Sequence, residues 1–168
     1  MSELAKSAAM VGALLIERGE TVSVAESSTG GLISAALLAV PGASVYFAGG
    51  TVVYTSSARN AFLEIDLAKH PGIRSATESY ALLLAEAGRE ILATTWGLSE
   101  SGAAGPTGNR YGDDPGHTCI AVSGTSNLTK TFESGIQDRE ANMQLFAEQA
   151  LKLFELVLRR SEINNNNN

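Results

Sequence analysis

The sequence predicts a three-layer α/β/α sandwich with a mixed central sheet, folded as a single domain over residues 1–161. Three observations predict it. Segments with helical apolar spacing alternate with short β-branched runs, the order that builds a sheet covered by helices. Two of those runs end in glycine-rich turns, at 27–31 and 102–108. Near the C-terminus two apolar runs flank Gly124-Thr125-Ser126-Asn127, a hairpin that makes the sheet mixed and not purely parallel.

Each element has its own local reason. Leu4, Ala8, Val11 and Leu15 recur at helical spacing and Gly19 stops the run, so a helix is expected over 3–18. Residues 21–25 are β-branched and alternating, a short buried strand. A helix over 32–40 ends at Pro41-Gly42, and a strand over 51–54 is entered through Gly49-Gly50. A short helix is expected over 57–63 and a loop over 66–74. Ser75 and Glu78 then fit a capping box for a helix running to about residue 94, with Tyr80, Leu84, Ala87 and Ile91 on one face. A strand at 98–101 leads into a long turn-rich stretch, 103–116, with Pro106 and Pro115. The hairpin strands are 118–123 and 129–133. Asp138 caps a last helix whose apolar face is Met143, Phe146, Ala150, Leu153 and Val157. The asparagine run that ends the chain reads as a disordered tail, residues 162–168.

Composition narrows the function. The chain has 168 residues, 44% apolar and 18% charged, with net charge −6. A nucleic-acid binder carries a basic patch; here only Arg159 and Arg160 adjoin, so no nucleic-acid partner is expected. No apolar stretch is long enough for a membrane span, and residues 1–6 lack a signal core, so a cytoplasmic protein with no membrane partner is expected. Cys119 is the single cysteine and sits in a predicted strand, which favours a buried, inert thiol. With His70 and His117 far apart, no metal site is predicted.

Three places carry residues suited to chemistry. At 25–31 a strand ends in Glu26-Ser27-Ser28-Thr29-Gly30-Gly31 and opens a helix. Glycines there let backbone approach a ligand, the helix amides attract an anion, and a hydroxyl could be a nucleophile; helix capping is the plainer use. The turn Gly102-Ala103-Ala104-Gly105-Pro106-Thr107-Gly108 either wraps a ligand with amides or is simply a turn cluster. Arg59, shortly after Tyr54, either grips a phosphate or carboxylate by its paired donors or is a solvated surface residue. Ligands in open α/β sheets bind at such strand ends.

Taken together these segments resemble one family, the CinA C-terminal type or nicotinamide-nucleotide amidohydrolases. Residues 25–31 resemble its AESCTGG signature. Pro41-Gly42-Ala43-Ser44, Phe47, Gly50 and Val53-Tyr54 resemble its PGSS…F…GFVTYS segment. Residues 101–106 resemble its TGIAGP turn, Pro115 and Thr118 fall where it has KPVGTV, and Phe132 with Asp138-Arg139 resembles its F-x-GDR entry to the last helix. The match runs from about Leu4 to Leu158. The domain fused ahead of it in longer CinA proteins is not expected here.

The resemblance implies an oligomeric α/β/α protein that hydrolyses the carboxamide of nicotinamide mononucleotide to nicotinic acid mononucleotide and ammonia, with no cofactor. It implies Ser27 as nucleophile, with Tyr54, Ser44 and the turn Gly102, Ala103 and Gly105 lining the pocket. Glu26, Ser28, Thr29, Gly30 and Gly31 would surround the substrate, and the amides of 29–31 would hold the oxyanion. The family's lysine base aligns with Arg59, its cysteine with Ser28, and an arginine of its last helix with Met143. A guanidinium donates hydrogen bonds and does not take up protons. General-base help is worth about 10²–10⁴-fold, so this chain is either a weak amidohydrolase or a silent homologue that binds a nucleotide or acts as an oligomeric regulator. Glu26 and an exposed His117 are the other conceivable bases.

Overall fold

The computed structural model describes residues 1–166. Its elements are α1 (Glu3–Arg18), β1 (Val22–Glu26), α2 (Leu32–Leu38), β2 (Phe47–Val52), α3 (Ser56–Leu63), α4 (Glu78–Leu92), β3 (Trp96–Ala103), β4 (His117–Ser123), β5 (Leu128–Glu133) and α5 (Arg139–Asn166). The five strands are ordered β2-β1-β3-β4-β5. β1 pairs in parallel with β2 and β3, while β3–β4 and β4–β5 are antiparallel. The mixed sandwich expected from the sequence is therefore the observed fold.

Strand alternation sorts the two faces. Val22, Val24, Trp96, Leu98, Ile120 and Val122 join the core built by α1, α2 and α5. The opposite face carries small residues. Cys119 and Ala121 pack on Ala81 and Ala85 of α4. A Cβ on Gly97 would lie 2.0 Å from the Ala85 carbonyl oxygen, so α4 reaches the sheet only because residue 97 has no side chain. Ala25, Val53, Leu63, Ile65, Tyr80 and Leu84 form a smaller core under α3 and α4.

Element ends differ from the sequence reading in instructive places. The strand expected over 51–54 instead runs over Phe47–Val52, through Gly49-Gly50. A Cβ on Gly50 would meet Ser34 Oγ at 2.3 Å, so glycine here permits close approach of α2 and does not break the strand. The predicted capping box at Ser75 is not formed. Thr77 is the N-cap of α4, its Oγ1 accepting from Tyr80 N, and Glu78 instead accepts from Thr129 and Thr131 on β5. Asp138 caps α5 as expected, accepting from Ala141 N at 2.7 Å. The tail expected to be disordered from residue 162 is helical as far as Asn166, and Glu162 pairs with Arg18 at 3.0 Å; residues 167–168 lie outside the described residues. Among the described residues no helix is long and apolar enough to cross a membrane.

Candidate functional site

The connections place the site. β1 leads through α2, on one face, to β2; β2 leads through α3 and α4, on the other, to β3 at β1's opposite side. Strand order therefore reverses at β1, and a crevice opens where its carboxyl end meets those of β2 and β3. Ser27 follows β1, Tyr54 follows β2, and Ser101 and Gly102 end β3. All four line one cleft of about 470 Å³, in the size range of small-molecule sites.

The cleft is electrostatically one-sided. Arg59, Arg110, Tyr54, Tyr80 and Tyr111 line it, and among the described residues no carboxylate does, in a chain of net charge −6. Arg59 is only 7% exposed. Its Nε and Nη2 donate to Asn60 Oδ1 at 3.2 and 3.1 Å, and it lies 6.0 Å from the centre of the Tyr80 ring. Among the described residues none of its hydrogen bonds is to a carboxylate and none uses Nη1. The alternative of a solvated surface arginine is overturned: the side chain is buried against Asn60, the Ile65 carbonyl and the Tyr80 ring.

A narrower recess of about 230 Å³ adjoins the cleft and shares Tyr54, Gly102 and Asn109 with it. Ser28, Ala103, Gly105 and Arg139 are among the other residues of its wall. Arg139 donates to the Gly105 carbonyl at 2.7 Å and to the Tyr54 hydroxyl at 3.2 Å, tying the start of α5 to both glycine-turn and β2 ends. The turn that opens the cleft's other side is pinned by Asp113, which accepts from Arg74 and Asn109, each at 2.8 Å. The Arg74 guanidinium holds the Asp113 carboxyl below its ordinary range.

Several expected site residues stand elsewhere. Ser44 sits in the turn before β2, at the amino end of the strand whose carboxyl end carries Tyr54. Six residues of strand, at roughly 3.3 Å each, separate it from the cleft. Glu26 and Thr29 are fully buried behind the cleft wall. Glu26 caps α2, accepting from Ile33 N and Ser34 N at 2.9 Å and from Gly31 N at 3.2 Å. The amides expected to bind an oxyanion are thus already used: Gly31 N by Glu26, Thr29 N by Glu100 at 2.9 Å, and Gly30 N by the Ser27 carbonyl. Gly30 and Gly31 have φ of 63° and 103°, which turn the chain from β1 into α2, and Gly30 lies under Met143.

His117 is buried, not exposed. One ring nitrogen faces Glu133 and the other the Ala76 carbonyl at 2.8 Å. Burial by itself lowers its pKa, but the Ala76 carbonyl, Glu133 and Asp113 outweigh that and raise it. With both nitrogens committed it clamps Ala76, which adopts a left-handed φ of 59° in the cleft wall and donates to Ser101 Oγ. Cys119 is buried, and burial pushes its thiol up, the inert state expected.

The residue that sequence reasoning missed is Glu100. It is fully buried and accepts from Thr29 N, Thr118 Oγ1 and, at 3.3 Å, Ser27 N, besides contacting Ser28 and Thr29 hydroxyls. A lone acid inside an otherwise buried strand pattern, Leu98-Ser99-Glu100-Ser101, was the available signal.

Comparison with known proteins bears on family and fold. The family model described as CinA C-terminal domain matches residues 4–158. A CinA-like protein of Salinibacter ruber is 37% identical over 144 residues, covering 86% of this chain and 35% of that protein. One from Anaeromyxobacter sp. is 38% identical over 154 residues, covering 90% and 37%. The chain thus spans about a third of the length of these relatives. Among solved structures, the competence/damage inducible protein CihA of Agrobacterium tumefaciens superposes with TM-score 0.86 at 24% identity, covering 95% of this chain and 97% of that one. A CinA superfamily protein of Klebsiella pneumoniae gives 0.87 at 22%, covering 94% and 98%; at these identities both speak for the fold alone. By its sequence match, this chain belongs to the CinA C-terminal domain family.

Proposed function

We propose that the cleft binds a phosphorylated pyridine nucleotide of the nicotinamide mononucleotide class and that Ser27 attacks its carboxamide. The observation that carries this reading is the buried Arg59 guanidinium, without a carboxylate partner, in the same cleft as the Ser27 hydroxyl. Two guanidinium groups and no carboxylate favour an anionic ligand; Tyr54, Tyr80 and Tyr111 suit a flat ring. In the reaction, Ser27 Oγ bonds to the amide carbon and its proton passes to the departing nitrogen. Ammonia leaves, and water then releases the acid from the ester on Ser27. The Ser28 amide, which none of the bonds above uses, stands beside the nucleophile as an oxyanion donor.

A second reading has its own support. Ser27 Oγ makes no hydrogen bond to a base among the described residues, and Arg59 occupies the position of the family lysine. A homologue that binds the nucleotide without hydrolysing it fits that geometry. Ammonia release from nicotinamide mononucleotide by the protein, Ser27→Ala and Arg59→Lys separates the two. Turnover lost in Ser27→Ala supports hydrolysis. A silent protein that Arg59→Lys activates supports a binder that has lost its base. Silence throughout, with no thermal shift by the nucleotide, overturns both.

A further inference from the structure

We infer that Glu100 is held as a neutral carboxylic acid that donates its proton to Ser28, turning the Ser28 hydroxyl hydrogen toward the cleft as a ligand-positioning donor. Glu26 ends β1 and Glu100 lies within the neighbouring β3, each one residue beyond the Ala25–Ser99 pair of the β1–β3 ladder. Both are fully buried, and neither joins a salt bridge among the described residues. One hydroxyl, Thr29 Oγ1, lies 2.8 Å from Glu26 Oε1 and 3.0 Å from Glu100 Oε2. Two carboxylates that share a dry site with no cation do not both ionise.

The partners decide which one keeps the proton. Glu26 Oε1 accepts from the amides of Gly31 and Ile33, and Oε2 from that of Ser34. Amides only donate, so neither oxygen has room for a proton, and the charge sits at the N-terminus of α2. Glu100 Oε2 likewise faces the amides of Ser27 and Thr29. Glu100 Oε1 meets only hydroxyls, those of Ser28 and Thr118. Hydroxyls reverse direction freely, so Oε1 is the oxygen that can carry the proton, and of its two partners Ser28 is the one that borders the recess. Burial, which pushes the Glu100 carboxyl up, acts in the same direction. The groups facing Glu100 are Glu26 from β1, Thr118 from β4 and the turn leading into α2; no charged side chain of α5 bonds to it.

Once Ser28 Oγ accepts from Glu100, its own hydrogen points away, into the recess shared with Tyr54, Gly102 and Arg139. There it suits a carbonyl or anionic oxygen of the ligand. That last step rests on the pyridine-nucleotide reading; the proton's location does not.

The test is carbon NMR of protein labelled at glutamate carboxyls, from about pH 5 to about pH 9. One resonance should keep the neutral-acid position at about pH 7 and be missing from Glu100→Gln. If every carboxyl has ionised by about pH 6, the inference is wrong. Glu100→Gln places an NH₂ where the proton is and should melt within about 2 °C of the parent at mildly acid pH, whereas Glu100→Ala should fall by roughly 5 °C or more. Equal losses in the two variants would equally overturn it. Calorimetry with nicotinamide mononucleotide should give about tenfold weaker binding for Ser28→Ala and less than about threefold for Glu100→Gln. A parent that does not bind this nucleotide refutes the proposed function, while the NMR still decides the proton.

Discussion

Replacing Arg59 by methionine separates binding from folding. The side chain is 7% exposed and faces no carboxylate; its partners are Asn60 Oδ1, the Ile65 carbonyl at 3.4 Å and the Tyr80 ring. A buried charge without a counter-charge contributes little net stability, because desolvation offsets what its hydrogen bonds return. Methionine has nearly the same length and no charge. The unliganded protein should therefore change by less than about 1 kcal/mol, or roughly 2–4 °C in Tm. Ligand binding should respond quite differently. A hydrogen bond to a charged group is worth about 1.5–3 kcal/mol, so affinity for nicotinamide mononucleotide should fall by roughly 10–150-fold. Thermal unfolding without ligand and titration calorimetry with it measure the two effects on the same samples. A Tm loss beyond about 8 °C with affinity intact would refute the reasoning and make Arg59 a structural residue.

Other perturbations follow from particular contacts. Gly97→Ala places a Cβ 2.0 Å from the Ala85 carbonyl oxygen, a backbone atom that cannot swing aside, and should cost about 2–3 kcal/mol in denaturant unfolding. Glu26→Gln sets an NH₂ against backbone amides at the start of α2; the protein should lose stability and the Ser27 turn its protection in hydrogen exchange, with no effect if the capping reading is wrong. His117 has a raised pKa, so its contribution is complete below about pH 6.5 and is lost as pH rises through the folded value. His117→Gln should remove that part of the alkaline decline in Tm. The Glu100 part begins lower, near the ordinary glutamate value, because its raised pKa also makes it stabilising only while protonated.

Part of the site was legible because chemistry and chain position coincide there. Ser27, Tyr54 and Gly102 lie just beyond or at strand ends, and a strand-to-turn pattern is a local property. The burial of Arg59 was not legible, since it depends on α3 packing near Tyr80. Ser44 was misplaced for the opposite reason. It lies ten residues from Tyr54 in the chain, but an extended strand carries those residues to opposite ends of the sheet.

By itself the sequence determined the alternation of elements, the mixed sheet with its terminal hairpin, the family, and the glycine-rich turns after β1 and β3, because periodicity and turn chemistry act over a few residues. Only the tertiary structure decided which polar groups those turns satisfy. Glu26 and Glu100 are 74 residues apart in the numbering, yet β1 and β3 pair in parallel and bring both onto the Thr29 hydroxyl. Hydrogen-bond satisfaction inside a dry core is a non-local demand, and no window of sequence contains both partners.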